Sequence, residues 1–344
     1  MNNQWYNIPS QTKINAYTQI AESTGMASYA VEKDWWVVQV LSAIFEMKVG
    51  KHLIFKGGTS LGKAWRLIER FSEDIDLVFD TSYFGFDGEL TRTQVKNLRK
   101  RAGAYIKGTL FSDLENKLKD SGLSDIRLNY IKQDASDADP VKIEIHYPNV
   151  IEYPGYVEPR VLLEISCSSL MEPAENRFFS SLLDDHYLES AFVQEPIGIP
   201  SAIPERTFLE KLFLLHEEFR RPKDKIRVNR LSRHLYDIFQ LLKSKYGIRA
   251  IDNHELYQTI VKHRYVFNRI GGVNYNQHQP QTINPIPIPE IIDVWEADYR
   301  TMQEEMIYGN SPDFQELIDT IKNFTVNVLN QLDWKMDIEF PKPK

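Results

Sequence analysis

The sequence predicts an α+β fold, in which a strand-containing core is followed by a mainly helical C-terminal region. Three observations lead to this prediction. Between residues 52 and 80, an apolar run, a pair of glycines, a helical pattern and a second apolar run follow one another. Runs that alternate polar and apolar residues lie between residues 126 and 166. From about Pro200 onwards, long helical patterns replace them.

Composition restricts the class of protein. The chain has 344 residues, of which 42% are hydrophobic and 26% charged, as in an ordinary globular protein. Its single cysteine, Cys167, excludes an intrachain disulfide framework and a cysteine zinc site, which suits a reducing cytoplasm. No apolar run approaches the roughly 18 residues of a membrane span. We therefore expect a cytoplasmic protein without a membrane partner.

The first two predicted helices lie between residues 10 and 48. The second carries Trp35, Val38 and Leu41 on one apolar stripe, which indicates core packing. Lys33 and Asp34 lie near its start, and charged residues in such a position usually face solvent.

Residues 52–80 predict a strand, a glycine turn, a helix and an acidic strand. Because strand side chains alternate between faces, Asp74 and Asp76 point the same way and can share one cation. Carboxylate oxygens suit Mg²⁺, with Mn²⁺ as an alternative. Gly57 and Gly58 permit close backbone approach, and the following helix offers its amides to an anion. The alternative is plain turn chemistry, but Asp76 lies in an apolar strand where an unpaired carboxylate is costly.

The later part of the core predicts one long helix and three strands. The helix covers residues 91–119, and the strands cover 126–131, 141–147 and 160–166. Glu144 and Glu164 lie opposite apolar neighbours on two of these strands. Either glutamate could join the two aspartates as a third carboxylate, with Glu164 preferred, and the alternative for both is the solvent face of the sheet.

The C-terminal region predicts five helices, at residues 205–219, 231–246, 253–267, 290–308 and 312–332. We therefore divide the chain into N-terminal helices (1–50), a core (51–198) and a helical domain (199–344) that completes the cleft. Residues 271–289 contain no charged side chain and four prolines, which predicts an extended loop on the surface.

Four motifs occur in order: FKGGTSLGKAW, RFSEDIDLVFD, PERTFLEKLFLLHEE and RHLYDIF. Together they resemble the nucleotidyltransferase-like toxins of the AbiEii/AbiGii family, known from type IV toxin–antitoxin and abortive-infection systems. The resemblance covers roughly residues 32–242. It implies a polymerase-β-like nucleotidyltransferase core, a nucleoside triphosphate substrate and neutralisation by a cognate antitoxin. Transfer of a nucleotide to transfer RNA is one activity associated with the family.

The resemblance also implies roles for individual residues. The glycine turn and acidic strand form the family's nucleotide and metal site, which would comprise Gly57, Gly58, Thr59, Ser60, Ser72, Asp74 and Asp76. Lys211 and Asp237 match the lysine and aspartate that complete the pocket. From the residues alone, Lys211 could equally well extend its ammonium group to solvent, and Asp237 could pair with Arg233.

A basic run lies between the two later motifs. Residues 220–233 hold seven Lys or Arg and one Asp, so 7 − 1 gives +6 in a chain whose net charge is −7. The members predicted to contact RNA or an acidic antitoxin surface are Arg220, Arg221, Lys223, Lys225 and Arg227.

The predicted reaction is magnesium-dependent transfer of a nucleotide to an RNA hydroxyl, and the expected acceptor is the 3′ end of a transfer RNA. Asp74 and Asp76 would hold the metal, Lys211 would meet the triphosphate, and Glu164 would complete a second metal site and take the proton. Two alternatives stay open. The same pocket could transfer a terminal phosphoryl group, or it could bind a nucleotide without chemistry.

Overall fold

The structure is a computed structural model that describes residues 4–72, 74–133, 135–153 and 158–343. The chain forms two compact units. The first comprises Met1–Trp65 and Phe71–Ala202, and the second comprises Arg66–Arg70 and Ile203–Lys344. The second unit therefore includes five residues that lie, in sequence, between the glycine helix and the acidic strand.

In the described part of the first unit, a seven-stranded mixed sheet forms the centre. Its strands are β1 (Leu53–Lys56), β2 (Asp74–Phe79), β3 (Arg127–Tyr130), β4 (Val141–His146), β5 (Arg160–Ser166), β6 (Ala174–Phe179) and β7 (Ile197–Ala202). Their order across the sheet is β3-β4-β5-β2-β1-β7-β6. The β2–β5 and β1–β7 pairs are parallel, and the other neighbouring pairs are antiparallel.

The helices of the first unit are α1 (Ser10–Thr24), α2 (Ser28–Glu46), α3 (Gly57–Lys63), α4 (Arg92–Tyr105), α5 (Phe111–Asp120) and α6 (Leu182–His186). The α2 helix contacts β5, and its predicted apolar stripe is buried. A π-helical turn at Ile106–Leu110 separates α4 from α5, so the predicted helix at 91–119 is not one regular α-helix. The prediction of an α+β fold with a helical C-terminal region is confirmed.

The two faces of the sheet differ in polarity. Along β2, β4 and β5, the side chains of one face are fully buried, as Ile75, Ile143 and Leu163 illustrate. On the other face, Asp74, Asp76 and Glu164 are only half-buried, whereas Val78 further along β2 is buried. This alternation follows from the two-residue period of a strand, and it collects the charged side chains on one face.

Two strands were not predicted. The β6 strand lies at an edge of the sheet and is mostly exposed, so it lacks a buried face with alternating apolar residues. The β7 strand contains Gly198 and Pro200, residues that normally argue against a strand. Pro200 is tolerated in the structure, where β7 lies between β1 and β6.

The helices of the second unit are α7 (Pro204–Glu218), α8 (Ser232–Leu242), α9 (Lys245–Asp252), α10 (His254–Phe267), α11 (Ile292–Glu305) and α12 (Phe314–Asn327). Pro204 occupies the first turn of α7, where a missing N–H costs nothing. The predicted helix at 231–246 ends earlier, because Ser244 caps the separate helix α9.

The prediction of a surface loop at residues 271–289 is wrong. Tyr275 and His278 in this segment are almost completely buried, and their rings stack at a centroid distance of 4.7 Å. His278 Nε2 lies 3.1 Å from Glu217 Oε1, and Arg264 Nε donates to the same oxygen at 2.8 Å. Burial favours the neutral carboxyl, but Arg264 and His278 outweigh it and lower the pKa of Glu217 to about 2. The segment therefore forms part of the interior of the second unit.

Candidate functional site

The acidic strand and the glycine turn contact each other directly. Asp74 and Asp76 lie on the same face of β2, and Asp76 pairs in register with Lys56 of β1. Gly57, the next residue after Lys56, has a φ of +79°. A Cβ atom on Gly57 would lie 2.1 Å from Asp76 Oδ2, closer than real Cβ atoms approach any heavy atom. Only glycine fits here, because the Asp76 carboxylate lies against its backbone.

Hydroxyl groups of α3 lie in the interior beside this turn. The Thr59 hydroxyl donates a hydrogen bond to the backbone carbonyl of Asp74, so it holds the start of β2. Ser60 is 2% exposed, and its Oγ is buried with no hydrogen-bond partner in the described part of the chain. A buried polar atom without a partner is costly, so Ser60 Oγ offers an unused donor and acceptor next to the turn. Gly58 is also buried, and Ser72 is half-buried just before β2.

Both candidates for the third carboxylate are already paired with cations. Glu164 of β5 lies in register with Asp76, but its Oε1 accepts a hydrogen bond from Lys142 Nζ at 2.5 Å. Glu144 of β4 lies 3.3 Å from Arg160 Nε through its Oε1. Among the residues that the structure describes, no group of three or more His, Cys, Asp or Glu side chains could hold a metal ion.

The donor set nevertheless fits one divalent cation. Asp74 and Asp76 offer two carboxylates with hard oxygen atoms from one face of one strand. Mg²⁺ in nucleotide sites usually binds one or two carboxylates. The absence of a side chain at Gly57 lets the Asp76 carboxylate lie against the backbone, and Ser60 supplies a hydroxyl that has no hydrogen-bond partner among the described residues. These residues are suited to a cation that also contacts phosphate.

Lys211 and Asp237 contact each other in the second unit. Lys211 of α7 places its Nζ 2.9 Å from Asp237 Oδ2 of α8 and 3.2 Å from His234 Nδ1. Arg70 donates to both oxygens of the same carboxylate, from Nε at 2.7 Å and from Nη2 at 2.8 Å. Asp237 is completely buried and Lys211 is 7% exposed. One buried carboxylate therefore binds two cations.

The protonation of this cluster follows from its contacts. Burial would raise the pKa of Asp237, but Arg70 and Lys211 hold it well below its usual value. Burial lowers the pKa of Lys211, and Asp237 opposes this change. Desolvation and the adjacent Lys211 hold the pKa of His234 well below its usual value, so its imidazole is neutral at pH 7. A neutral imidazole can accept a hydrogen bond from the lysine.

Part of the predicted basic surface is bound to the protein itself. Arg221 Nη1 lies 3.0 Å from Glu218 Oε1, and Arg227 Nη2 lies 2.6 Å from Glu218 Oε2. The Glu218 side chain is completely buried, so these two arginines balance an internal charge. Lys223 and Lys225 are exposed. Arg220 is exposed as well, although its Nη2 donates to the Thr282 carbonyl at 3.3 Å. These three residues are the part of the run that could meet an external partner.

The placement of Lys33 and Asp34 on a solvated face is wrong. Lys33 is 1% exposed and donates to the carbonyl of Glu158 at 3.1 Å. Asp34 is 7% exposed, lies 2.7 Å from Lys63 Nζ at the end of α3, and accepts from the backbone of Leu182 at 2.7 Å. Lys33 and Asp34 follow one another in a helix with many apolar residues. Opposite charges in such a helix indicate side chains that are buried together with partners.

Two further residues contact predicted site residues, although the sequence does not single them out for such a role. Arg70 begins the acidic motif but was not assigned a role, and Lys142 lies in an ordinary alternating strand. Their partners, Asp237 and Glu164, are 167 and 22 residues away in sequence. Only the fold brings these pairs together.

Comparison with known proteins gives one family. Residues 39–320 match the family described as the nucleotidyl transferase AbiEii toxin of type IV toxin–antitoxin systems. A comparison with curated proteins found no significant match. Within the described residues, none of the helices is long and apolar enough to cross a membrane.

Three solved structures match nearly the whole length of this chain, and the matches cover nearly the whole of their own chains. MenT4, a nucleotidyltransferase toxin of Mycobacterium tuberculosis, is 17% identical with a TM-score of 0.46, and the match covers 94% of this chain and 99% of MenT4. JHP933 of Helicobacter pylori is 14% identical with a TM-score of 0.39, covering 89% and 91%. A putative nucleotidyltransferase of H. pylori is 16% identical with a TM-score of 0.38, covering 89% and 95%.

Proposed function

This chain belongs to the AbiEii family of nucleotidyl transferase toxins, and we propose that it transfers a nucleotide from a nucleoside triphosphate to an RNA hydroxyl with the help of Mg²⁺. The observation that carries the proposal is the contact between Gly57 and the Asp76 carboxylate, with Asp74 on the same face of β2. It joins a turn suited to phosphate and a strand suited to a cation in one place.

The reaction forms one bond and breaks one. The oxygen of the acceptor hydroxyl attacks the α-phosphorus, the bond between this phosphorus and the bridging oxygen of the β-phosphate breaks, and pyrophosphate leaves. Glu164 is the proposed general base, which takes the proton from the attacking hydroxyl. Bound Mg²⁺ would neutralise charge that develops on the phosphate oxygens. Asp74 and Asp76 would hold it.

The remaining residues have proposed roles in binding. The backbone of Gly58 and the buried hydroxyl of Ser60 would contact phosphate oxygens, while Thr59 holds the start of β2 through the Asp74 carbonyl. Lys211 would add a positive charge toward the triphosphate, and Asp237 would orient it. Ser72 keeps a proposed role at the edge of the nucleotide site, on the strength of the family motif.

The substrate and partner are proposed from the family. We propose an RNA acceptor, specifically the 3′ end of a transfer RNA, and a cognate antitoxin in the cytoplasm. The net charge of −7 requires any RNA contact to use a local basic surface, for which Lys223 and Lys225 are the proposed residues.

The test is a labelling experiment with the purified protein, Mg²⁺ and total bacterial transfer RNA. Each α-labelled nucleoside triphosphate is supplied in turn, beside the Asp74→Ala/Asp76→Ala variant. We expect label in RNA with the wild type alone. Label in RNA from a γ-labelled triphosphate would instead identify phosphoryl transfer. A folded protein that binds nucleotide but labels nothing would refute the proposed transfer and favour a binding function.

A further inference from the structure

We propose that the exposed cations of α4 form a contact surface for the phosphate backbone of the RNA acceptor, within the first unit of the chain. The inference rests on the proposed function, because it concerns the RNA of the same reaction. It adds cations that belong neither to the four sequence motifs nor to the basic run at residues 220–233.

The charged side chains of α4 are all positive. Its sequence, RTQVKNLRKRAGAY, contains five Lys or Arg and no Asp or Glu, so the helix carries a formal charge of +5 in a chain of −7. Arg99 is half-buried and donates from Nε to Ser168 Oγ at 2.8 Å. The other four are exposed, and we name them the basic face: Arg92, Lys96, Lys100 and Arg101.

The described part of the chain does not neutralise the basic face. None of its four side chains forms an ion pair with an acidic side chain that the structure describes. This differs from the basic run of the second unit, in which Arg221 and Arg227 balance the buried charge of Glu218. The basic face is therefore available to an anion outside the chain.

The charges of the basic face are unfavourable for the helix that carries them. Arg92 lies in the first turn, where the helix dipole favours a negative charge. Arg92, Lys96 and Lys100 follow one another at intervals of four residues, and like charges at this spacing destabilise a helix. Local choices that oppose folding are expected where a residue serves function instead. An external partner of negative charge gives these residues such a function.

The arrangement of the basic face suits phosphate better than an acidic protein surface. Residues four apart lie on one side of a helix and rise by about 6 Å, so Arg92, Lys96 and Lys100 form a row about 12 Å long. A series of cations along a line matches the regular charges of a nucleic-acid backbone. The exposed positions of α4 include no large apolar side chain, whereas the core of a protein interface is rich in aromatic residues and poor in lysine.

The fold places α4 on the side of the sheet that is opposite to the acidic strand residues. A Cβ atom on Gly103 of α4 would lie 3.8 Å from Val141 Cγ2, and Val141 belongs to the buried face of the sheet. Asp76 and Glu164 pair in register on the other face. The basic face should therefore hold a part of the RNA that is distant from the reacting hydroxyl, and it should act on affinity for a large RNA.

The experiment measures binding of fluorescently labelled bacterial transfer RNA by anisotropy, without a triphosphate, over a series of salt concentrations. The variant is Arg92→Gln/Lys96→Gln/Lys100→Gln/Arg101→Gln, because glutamine keeps a good helix propensity at each position. We expect its Kd at low salt to rise at least tenfold. The slope of log K against log salt should become shallower by about 3, since each lost phosphate contact removes about 0.7–0.9.

A matched control removes four exposed cations outside α4, with the variant Arg249→Gln/Lys322→Gln/Lys335→Gln/Lys342→Gln. It makes the same change in net charge and should leave the salt slope as in the wild type. Urea denaturation checks that both variants are folded.

Three outcomes would overturn the inference. They are a wild type that does not bind transfer RNA, equal salt slopes in the α4 variant and the control, and an α4 variant that keeps RNA binding but loses binding of poly-L-glutamate. The last outcome would assign the basic face to an acidic protein. Transfer is scored separately. Labelled RNA with unchanged binding by the α4 variant would retain the proposed function without this inference, and the expected loss of binding without labelled RNA would do the reverse.

Discussion

Replacing Gly57 by alanine should disable the site with only a moderate loss of stability. The added Cβ atom would lie 2.1 Å from Asp76 Oδ2, whereas real Cβ atoms essentially never lie closer than 3.0 Å to a heavy atom. The carboxylate must therefore move away by 3.0 − 2.1 = 0.9 Å. A displacement of about 1 Å in a catalytic group costs about 10²-fold in rate. We expect Gly57→Ala to lose transfer by about that factor.

Backbone strain must be separated from this displacement. Gly57 has a φ of +79°, and a non-glycine residue in that region costs about 1–3 kcal/mol. Gly122 has a φ of +85°, but a Cβ atom there would meet nothing within 4 Å. Gly122→Ala therefore carries the same backbone strain without the clash. Urea denaturation should show a similar loss of stability in both variants, while transfer and Mn²⁺ binding should fall in Gly57→Ala alone.

The result that would refute this reasoning is specific. If Gly57→Ala transfers nucleotide within about twofold of the wild type, the Asp76 carboxylate does not act from the position described, because a 1 Å shift should cost far more. Equal loss in both variants would instead point to backbone strain as the cause, and the contact between Gly57 and Asp76 would have no part in activity.

Three further predictions concern the second unit. Ionised Glu217 should add about 3 kcal/mol to the free energy of unfolding, because its pKa falls from 4.5 to about 2 on folding. This contribution is present above about pH 4.5 and is lost as the pH falls toward 2. The difference in urea stability between the wild type and Glu217→Gln should therefore shrink over that range. Arg70→Met leaves the buried Asp237 with one partner fewer and should lower the free energy of unfolding by about 3–5 kcal/mol, measured by urea denaturation. Lys223→Glu with Lys225→Glu should weaken RNA labelling severalfold at low salt and leave binding of free nucleotide unchanged.

Each of these predictions has a control with the same chemical change. Glu255→Gln alters an exposed glutamate, so its effect on stability should stay small. Arg300→Met removes an arginine from an exposed pair with Glu296 and should cost less than about 1 kcal/mol. Lys335→Glu with Lys342→Glu makes the same charge change elsewhere on the surface and should leave RNA labelling intact. Equal effects in a variant and its control would contradict the corresponding assignment.

Local patterns in the sequence predict the part of the site that lies on strands, namely which side chains share a face. The spacing of Asp74 and Asp76 predicts a shared face, because the strand period is short-range and needs no tertiary partner. The same holds for β4 and β5, whose alternating residues indicate their faces. The pairing of Asp76 with Glu164 depends on which strands become neighbours, and the sequence pattern contains no such information.

The errors concern residues whose surroundings come from the fold. Residues 271–289 are rich in proline and lack charge, and both a surface loop and a buried irregular segment fit that composition. The interior placement of His278 depends on Glu217 and Arg264 as partners. Lys33 and Asp34 are likewise buried because Glu158 and Lys63 meet them there. Charge alone predicts exposure, and only the partners reverse that prediction.

The excursion of Arg66–Arg70 into the second unit makes that unit discontinuous in sequence. A fragment beginning at Ile203 would lack Arg70 and leave the buried Asp237 with Lys211 as its remaining described cation. During synthesis on the ribosome, Arg70 emerges 167 residues before its carboxylate partner. The second unit therefore cannot complete its interior until α8 has been made. Recombination that exchanged only the C-terminal half between relatives would also separate this arginine from its aspartate partner.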